Sequence, residues 1–475
     1  MRENLFYGYH GKRRTAEEGA AGSPFKDKRV LVMGMARSGI AAAQLLCREG
    51  AQVTVNDRKQ AEEFGDKLDA LRALPIVFRM GEEGSRLLEN QDMLVISPGV
   101  PQDAPLVRAA QEKGMPVLGE LEMASRVLRG NLVAVTGTNG KTTTVSLLGA
   151  IFKEAGKVCY VAGNIGYPLS AAAMESRPED VVVAEVSSFQ LETTSAFHPL
   201  TAAVLNVTED HLNRHGTMEK YTALKRHIFD AQDESNYAVL NYEDAACRAM
   251  AEGLKARVLF FSRLHAVEQG AFVRDGQIVM RLNGEEKNIC AAEDVKIPGP
   301  HNLENALAAT AVAYSRGVPA PVIRHALRTF AGVEHRIEFV RELEGVRYIN
   351  DSKGTNVDST IKAVQSMRLP TAIILGGYDK HVSFTALAEE IQRTPLIRAC
   401  VLIGATADQI EAALRQAGYA AVFRADTLEQ AVKDCRRLMA EGGNVLFSPA
   451  CASFDMFEDY EQRGRIFKQI VSDLQ

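Results

Sequence analysis

The stretch LVAVTGTNGKTTTVSLLGAIF, residues 132–152, decides the fold. It begins with an apolar run typical of a buried strand, passes through a loop with two glycines, and continues as a run typical of a helix. Glycines let successive backbone N–H groups point at one anion, and the N-terminus of the helix adds partial positive charge. The loop therefore predicts a nucleotide site, in which Lys141 neutralises the β- and γ-phosphates and the Thr142 hydroxyl binds Mg²⁺.

The spacing of this loop leaves one alternative open. Two residues, Thr138 and Asn139, separate its glycines, where the general phosphate-loop pattern has four. A glycine-rich turn that binds no ligand is therefore the competing interpretation, although a GK[ST] sequence after a strand favours nucleotide binding.

Two later segments carry candidate metal ligands. The apolar strand Val181–Val186 contains Glu185, and burial of a lone carboxylate is costly unless a cation accompanies it. Glu185 is thus a candidate Mg²⁺ ligand, and a solvent-facing strand end is an equal alternative.

Residues 208–211 (TEDH) follow the predicted strand Ala202–Asn206, at the sheet edge where α/β proteins hold ligands. His211 alone is more often structural, but beside Glu185 and the phosphate loop it becomes a candidate ligand.

Strands alternate with helical runs on both sides of this central segment, which predicts parallel sheets covered by helices. A chain of 475 residues corresponds to roughly three domains at about 150 residues each. The predicted fold class is therefore α/β with three units. The predicted boundaries are an N-terminal extension at 1–26, a first domain at 27–120, a central domain at 121–332 and a C-terminal domain at 333–475.

Composition and charge restrict the class of protein. Hydrophobic residues make up 46% and charged residues 24% of the chain, as in ordinary globular proteins. A net charge of −5 argues against a general binder of nucleic-acid phosphates. No apolar run reaches the roughly 18 residues that a membrane span needs. The seven cysteines form no CxxC pair, which favours reduced, mostly buried thiols in a cytosolic protein. Residues 1–26 are expected to be a flexible tail, and their basic cluster at 12–14 offers a recognition arm as the alternative.

A second glycine-rich turn, Gly34–Gly39, follows the predicted strand Val30–Met33, and Asp57 closes the next strand. This arrangement is close to a dinucleotide fingerprint, but Ala36 stands where that fingerprint has its middle glycine. An NAD-dependent dehydrogenase is one interpretation. The other is that the turn binds a different diphosphate and Asp57 contacts a ribose or base.

Seven motifs in order resemble the Mur ligases of peptidoglycan synthesis, and most of all the branch that adds D-glutamate. The resemblance extends from about Lys28 to the end of the chain and leaves residues 1–26 outside. The motifs are GTNGKTTT (137–144), EVSSFQLE (185–192), NVTEDHLNRHG (206–216), GPHNLENALAA (299–309), HRIE (335–338), NDSKGTN (350–356) and SPACASFDMF (448–457).

The resemblance implies an ATP-dependent carbon–nitrogen ligase with Rossmann-like N- and C-terminal domains around a central P-loop ATPase domain. These domains would bind the UDP-substrate, ATP and the amino acid, respectively. ATP would phosphorylate the terminal carboxylate of UDP-N-acetylmuramoyl-L-alanine, and the amine of D-glutamate would attack the acyl phosphate. The implied cofactors are ATP, Mg²⁺ at two sites and a CO₂-derived carbamate on Lys225. A cytoplasmic monomer that acts on these small molecules, with no nucleic-acid or membrane partner, is expected.

The resemblance also assigns site residues. Catalytic roles fall to Lys141, Glu185, His211 and Lys225, and the metal ligands would be Thr142, Glu185, His211 and carbamylated Lys225. The implied ATP-binding residues are Gly137, Thr138, Asn139, Gly140, Lys141, Thr142, Thr143, Asn302, Arg336, Asp351 and Lys353. The implied substrate-binding residues are Arg37, Ser38, Asp57, Arg58, Lys59, Ser97, Asn164, Thr355, Lys380, Ser453, Phe454 and Tyr460.

Several alternatives remain at this point. Without the resemblance, Lys225 is better explained as an exposed helix lysine, and Asn302 equally well as a helix cap. His301 falls beside the nucleotide and metals by the same resemblance. A ligase that uses another acceptor or amino acid, including a folate-type enzyme, is the nearest functional alternative. A nucleotide-binding regulator without catalysis is the alternative from a different class.

Overall fold

The computed structural model describes residues 22–165, 167–380 and 382–474, with Asn213 described in its backbone alone. The chain divides into two compact units. The first runs to Asp294 and includes Asn305–Arg328, and the second comprises Val295–Glu304 and the chain from Thr329 onward.

The first unit begins with a five-stranded parallel sheet in the order β3-β2-β1-β4-β5. Its strands are β1 (Arg29–Met33), β2 (Gln52–Asn56), β3 (Ile76–Phe78), β4 (Met93–Ile96) and β5 (Val117–Gly119). The central strand β1 reads RVLVM, and its three middle residues are buried because helices cover both faces of a parallel sheet. The strand order is that of a Rossmann-like domain.

The same unit contains a nine-stranded sheet in the order β14-β13-β12-β11-β10-β9-β6-β8-β7. Strands from β7 to β12 along this order pair in parallel, and β12, β13 and β14 pair as antiparallel neighbours. The strands are β6 (Asn131–Thr136), β7 (Cys159–Gly163), β8 (Val181–Glu185), β9 (Thr201–Val204), β10 (Tyr237–Asn241), β11 (Arg257–Ser262), β12 (Gly270–Arg274), β13 (Gln277–Leu282) and β14 (Glu285–Ala291).

The second unit is built on a six-stranded sheet in the order β15-β16-β20-β17-β18-β19, in which only the edge pair β15–β16 is antiparallel. Its strands are β15 (Glu338–Leu343), β16 (Val346–Asn350), β17 (Thr371–Leu375), β18 (Ile397–Leu402), β19 (Val422–Arg424) and β20 (Gly443–Phe447).

Helices alternate with these strands along the described chain. They are α1 (Arg37–Arg48), α2 (Asp69–Arg72), α3 (Pro105–Glu112), α4 (Glu120–Ser125), α5 (Lys141–Glu154), α6 (Leu169–Glu175), α7 (Ser188–Leu191), α8 (Leu212–His215), α9 (Met218–Arg226), α10 (Ala245–Met250), α11 (Pro300–Ser315), α12 (Ala320–Thr329), α13 (Val357–Ser366), α14 (Thr385–Arg393), α15 (Ala407–Gln416), α16 (Leu428–Leu438) and α17 (Tyr460–Asp473). Short 3-10 turns occupy Ala61–Leu68, Ser85–Leu88, His227–Phe229 and Ala292–Asp294.

The predicted α/β class with mostly parallel sheets is confirmed, and the three sheets correspond to the three predicted domains. The predicted boundaries between those domains remain a prediction. In the part of the chain that the structure covers, no helix is both long and apolar enough to cross a bilayer. All seven cysteines are free thiols, and five of them are buried. The expected tail at 1–26 lies almost entirely outside the described residues.

Candidate active site

The glycine-rich loop is braced from the next strand of the sheet. The backbone N–H of Thr138 donates to the Asn206 carbonyl at 3.0 Å, and the N–H of Asn139 donates to Asn206 Oδ1 at 2.8 Å. Gly140 has a φ of 84°, and a Cβ there would lie 2.3 Å from Asn305 Oδ1. A side chain at this position would meet both a steric and a conformational penalty, so the loop requires glycine where helix α5 begins.

Lys141 turns back over this loop. Its Nζ donates to the carbonyl oxygens of Gly137 and Thr138, both at 2.8 Å. The ammonium therefore lies above the loop and before the N-terminus of α5, which is where a phosphate group would be bound. Thr143, the next predicted loop contact, is buried in the first turn of the helix.

Glu185 and Thr142 form a pair of oxygen donors beside the loop. The Thr142 hydroxyl donates to Glu185 Oε2 at 2.7 Å, and Asn164 Nδ2 donates to Glu185 Oε1 at 3.1 Å. Glu185 is 3% exposed, so the alternative of a solvent-facing strand end is wrong. Within the described residues no Lys, Arg or His forms an ion pair with this carboxylate. A buried carboxylate with neutral partners and a neighbouring hydroxyl is the hard-oxygen donor set that suits Mg²⁺.

His211 lies after strand β9 with a left-handed backbone, at φ 55°. Its ring packs edge-on against Phe189 at a centroid distance of 4.9 Å, and its Nε2 lies 3.6 Å from Asp210 Oδ2. The side chain is 38% exposed, so the imidazole is accessible to a ligand. Among the described residues, neither His211 nor Glu185 belongs to a group of three or more His, Cys, Asp or Glu side chains whose ligand atoms lie within 4.8 Å of one another.

Lys225 is buried on helix α9. The residue is 1% exposed, so the interpretation as an exposed helix lysine is wrong. Its Nζ lies 4.3 Å from the centroid of the Tyr221 ring, one helical turn earlier. Burial, together with repulsion from Lys141, holds the pKa of the Lys225 amine well below its usual range. An amine of this kind is uncharged in a larger fraction of molecules, and the uncharged form is the nucleophile.

Several predicted substrate residues line one cleft of about 410 Å³ in the first unit. The cleft is bounded by both the Gly34–Gly39 turn and the segment that follows β7. Its predicted members are Arg37, Ser38, Asp57, Ser97 and Asn164. Arg58 and Lys59, which follow Asp57, are exposed and do not line it.

Two polar side chains hold the glycine-rich turn at this cleft. Asp57 Oδ2 accepts a hydrogen bond from the backbone N–H of Met35 at 2.7 Å, and Ser97 Oγ donates to the Gly34 carbonyl at 2.7 Å. A Cβ at Gly39 would lie 1.8 Å from the Gly34 carbonyl oxygen. Asp57 and Ser97 thus shape the turn whatever ligand it binds.

In the second unit, Arg336 and Asp351 lie together. Arg336 Nη1 is 3.9 Å from Asp351 Oδ1, and the Ser448 hydroxyl donates to Asp351 Oδ2 at 2.6 Å. Asp351 is fully buried, and burial raises the pKa of its carboxyl while Arg336 and Ser448 act in the opposite direction. The carboxylate therefore orients Arg336 and the loop around it.

Residues 299–302 begin helix α11. The helix starts at Pro300, and Asn302 Nδ2 donates to the Pro298 carbonyl at 2.7 Å. Asn302 thus lies inside the first turn and donates where a cap would accept, so the helix-cap alternative is wrong. Both ring nitrogens of His301 are buried without a hydrogen-bond partner in the described chain, and burial lowers the pKa of His301 to about 3.

Two contacts in the second unit involve predicted substrate-binding residues. Lys353 Nζ donates to the Tyr460 hydroxyl at 3.0 Å, and Lys380 Nζ donates to the Thr355 carbonyl at 3.5 Å. Ser453 is 2% exposed, whereas Phe454 is 66% exposed and packs edge-on against Tyr378.

The structure adds residues that the sequence patterns did not single out. Asn206 braces the phosphate loop, and Tyr221 lies against Lys225. Asn206 is the last residue of the predicted strand Ala202–Asn206, a position that could have drawn attention to it. Arg463 is 1% exposed and donates to Ser352 Oγ at 3.0 Å and to the Cys451 and Ala452 carbonyls at 3.1 Å. It connects the loop at Ser352 with the loop at Cys451 and Ala452, but no sequence signal distinguishes it from other helix arginines.

Three family models match the chain in order. They are the Mur ligase MurD-like N-terminal domain at residues 28–119, the Mur ligase middle domain at 135–313, and the Mur ligase glutamate ligase domain at 335–451. The UDP-N-acetylmuramoylalanine–D-glutamate ligase of Thermoanaerobacter sp. (strain X514) is 47% identical over 451 residues, which cover 94% of this chain and 99% of that protein. The chain belongs to the Mur ligase family.

Other Mur ligases extend this result. The UDP-N-acetylmuramoylalanine–D-glutamate ligase of Clostridioides difficile (strain 630) is 42% identical, over 94% of this chain and 99% of that protein. Among solved structures, MurF from Acinetobacter baumannii has a TM-score of 0.61 at 16% identity, covering 96% and 99% of the two chains. MurC from Thermotoga maritima has a TM-score of 0.57 at 19% identity, covering 94% and 99%. These structures share the fold. The Gly34–Gly39 turn lies within the matched MurD-like N-terminal domain, which favours a Mur ligase over the dehydrogenase interpretation of that turn.

Proposed function

We propose that this Mur ligase joins D-glutamate to UDP-N-acetylmuramoyl-L-alanine with cleavage of ATP to ADP and phosphate, in which the carboxylate of the acceptor takes the γ-phosphoryl group and the amine then displaces it as phosphate. The full-length similarity to proteins named for this reaction supports the substrates. The contact of Thr142 with the buried Glu185 supports the chemistry, because two oxygen donors of the kind that Mg²⁺ prefers lie beside the predicted phosphate loop. A cytoplasmic location and a monomeric state stay predictions of this proposal.

The residues would divide the work as follows. Lys141 and the N-terminus of α5 stabilise the negative charge on the transferred phosphoryl group. Thr142 and Glu185 would hold Mg²⁺, which would offset the charge of two anions brought together. In the second unit, Lys380 pairs with a carboxylate of D-glutamate, and Arg336 and Lys353 contact the nucleotide.

Lys225 is proposed to carry a carbamate that completes the second metal site with Glu185 and His211. The lysine nitrogen forms a bond to the carbon of CO₂, one C=O electron pair moves to oxygen, and the nitrogen releases a proton to solvent. The product is an anion, which binds a cation where an ammonium would repel it. The burial of Lys225 supports this proposal because a buried amine loses its proton more readily.

A phosphate-release assay with a panel of amino acids tests the function. With UDP-N-acetylmuramoyl-L-alanine and ATP present, D-glutamate should stimulate phosphate release, whereas L-glutamate and L-lysine should not. Lys141→Ala should reduce this rate at least about 100-fold, since it removes a cation from the transferred phosphoryl group. Lys153→Ala is the matched control, because Lys153 is an exposed lysine in the last turn of the same helix.

Three results would contradict the proposal in different ways. Stimulation by another amino acid would assign the chain to a different Mur-type or folate-type ligase. No stimulation by any amino acid, with ATP still bound, would favour the nucleotide-binding regulator. Full activity of Lys141→Ala would contradict the role of the phosphate loop.

A further inference from the structure

Four buried side chains form a stack that ends at Lys225. We call Ser188, His215, Tyr221 and Lys225 the Tyr221 stack. The His215 ring lies against the Tyr221 ring at a centroid distance of 5.3 Å and an interplanar angle of 24°. Lys225 Nζ lies 4.3 Å from the centroid of the same Tyr221 ring. Tyr221 thus contacts both the imidazole and the amine.

His215 is held on both of its nitrogen atoms. Its Nε2 is 3.0 Å from Ser188 Oγ, and its Nδ1 is 3.4 Å from Glu192 Oε1. The side chain is 2% exposed. Glu192 in turn accepts two hydrogen bonds from Arg214, at 3.0 and 2.5 Å. These contacts restrict the imidazole, since rotation of the ring would break the hydrogen bond to Ser188 and move Nδ1 away from the Glu192 carboxylate.

Tyr221, which packs against His215, contacts both the phosphate loop and Lys225. Its hydroxyl lies 3.3 Å from Thr138 Oγ1 in the phosphate loop, and its ring forms the surface on which the Lys225 amine rests. The residue is 1% exposed, so the hydroxyl contact and the ring stack determine its orientation within a closed environment. A change of the His215 side chain would therefore alter the direction of the lysine.

We propose that His215 is a positioning residue that holds the Tyr221 ring in place and thereby directs the Lys225 head group. The inference deepens the proposed function and rests on its carbamate. An aromatic ring has a negative face, which attracts an ammonium and repels an anion. When Lys225 becomes a carbamate, a fixed Tyr221 ring repels the new charge and restricts the head group to directions that lead away from the ring.

The consequence for activity follows from geometry. If the ring is free to tilt, the carbamate is no longer confined to one direction and it holds a metal less well. Small displacements of catalytic groups of about 1 Å can reduce rates by roughly 100-fold. Substrate affinity should change little, because no residue of the Tyr221 stack lines the cleft of the first unit that contains Arg37, Ser38 and Asn164.

Two substitutions of His215 distinguish the effect of its ring contact with Tyr221 from the effect of its polar contacts with Ser188 and Glu192. His215→Leu removes the ring, and His215→Phe keeps a ring but loses both polar contacts. We expect His215→Leu to lower kcat about tenfold, because the Lys225 head group would be slightly displaced. The KM for each substrate should change less than about twofold, because the substituted residue does not line the cleft. In ¹³C-bicarbonate at a concentration below saturation, the carbamate ¹³C NMR signal should fall in parallel, and excess bicarbonate should restore part of the rate. His215→Phe should lose less on each measurement.

The controls distinguish this role from a merely structural one. His198→Leu, which removes an exposed histidine elsewhere, should leave the signal and rate unchanged. If His215→Leu does not fold, Ser188→Ala loosens His215 from outside and should produce a smaller loss of the same kind. A folded His215→Leu chain with wild-type kcat and wild-type carbamate signal overturns the inference. So does a loss of activity that is proportional to the unfolded fraction and that excess bicarbonate does not reverse.

Failure of the underlying function gives a different pattern. Lys225→Ala provides the baseline for the ¹³C signal. A wild-type chain that ligates D-glutamate but matches that baseline overturns the carbamate and this inference, yet leaves the ligase. A wild-type chain without ligation contradicts the proposed function itself.

Discussion

His335 and Ile337 have backbone φ angles of 64° and 48°, in the left-handed region that non-glycine residues rarely adopt. They flank Arg336, the arginine assigned to the nucleotide. Asn350 Nδ2 donates to His335 Nδ1 at 2.8 Å, so the neighbouring strand β16 holds the first of these strained residues. Each such residue costs on the order of 1–3 kcal/mol, and the surrounding contacts must compensate. The strained backbone on both sides of Arg336, which contacts within the second unit stabilise, thus determines the position of this arginine.

Gly464 provides the space for this arrangement, and its replacement is the first prediction at this scale. Alanine normally stabilises a helix interior by about 1 kcal/mol relative to glycine. At Gly464, however, a Cβ would lie 2.3 Å from His335 Nδ1. We therefore expect Gly464→Ala to destabilise the chain by about 1–3 kcal/mol, as overpacking does, when measured by urea unfolding. Against a His335→Ala background the same change should cost much less; an equal cost in both backgrounds would contradict the contact.

At the scale of elements, continuous apolar runs predicted the buried parallel strands well. The predicted strands Val30–Met33 and Val181–Val186 agree with β1 and β8 to within one residue at each end, because both faces of such strands are covered. The meander β12–β14 was not predicted, since half-exposed strands such as Glu285–Ala291 are mostly polar. Its signal was present in the turns, where Asp-Gly at 275–276 and Asn-Gly at 283–284 are strong hairpin markers.

The candidate site shows the same limit. The phosphate loop could be recognised from local spacing, because its chemistry lies in consecutive residues. The burial of Lys225 and its contact with Tyr221 depend on how helix α9 packs, and no local pattern distinguishes that lysine from an exposed one. The contacts of His215 with Ser188 and Glu192 join residues 27 and 23 positions apart in the sequence, so only the folded chain reveals them.

The turn between β13 and β14 gives the prediction at this scale. Asn283 and Gly284 have φ angles of 53° and 81°, and a Cβ at Gly284 would meet nothing within 4 Å. Backbone conformation is then the main cost of a substitution. Gly284→Ala should lower the free energy of unfolding of this unit by about 1 kcal/mol, because alanine is disfavoured in the left-handed region. Gly284→Asn, which tolerates that region, should lose less, and equal losses in urea titrations would contradict this explanation.

For the whole molecule, a net charge of −5 does not prevent the binding of polyanions. Exposed charges act over a Debye length of about 8 Å at physiological salt, so the cations near a ligand matter more than the total. The candidate cations are placed locally: Lys141 at the phosphate loop of the first unit, and Arg336, Lys353 and Lys380 in the second. Glu334, His335 and Glu338 come close enough to share an ion, but Lys468 already pairs with both carboxylates, at 2.9 and 2.6 Å.

The thiols of both units give a prediction for the stability of the whole chain at alkaline pH. Burial raises the pKa of Cys47, Cys290 and Cys451 to about 11 and that of Cys159 to about 12, from an ordinary value of 9.0. A group whose pKa is higher in the folded state binds its proton more tightly there. Its stabilising contribution is therefore complete below pH 9.0 and is lost as the pH rises toward the folded value, because the unfolded chain ionises first.

We accordingly expect the urea midpoint to fall as the pH rises above 9.0, and to fall less steeply in a Cys47→Ala, Cys159→Ala double variant. A thiol reagent should react slowly with the folded chain and with all seven cysteines after unfolding, since none is in a disulfide. The two measurements check each other, because protected thiols are the ones whose ionisation couples to unfolding. Rapid reaction of most thiols in the folded chain, or an identical pH dependence in the double variant, would show that thiol burial does not control alkaline stability.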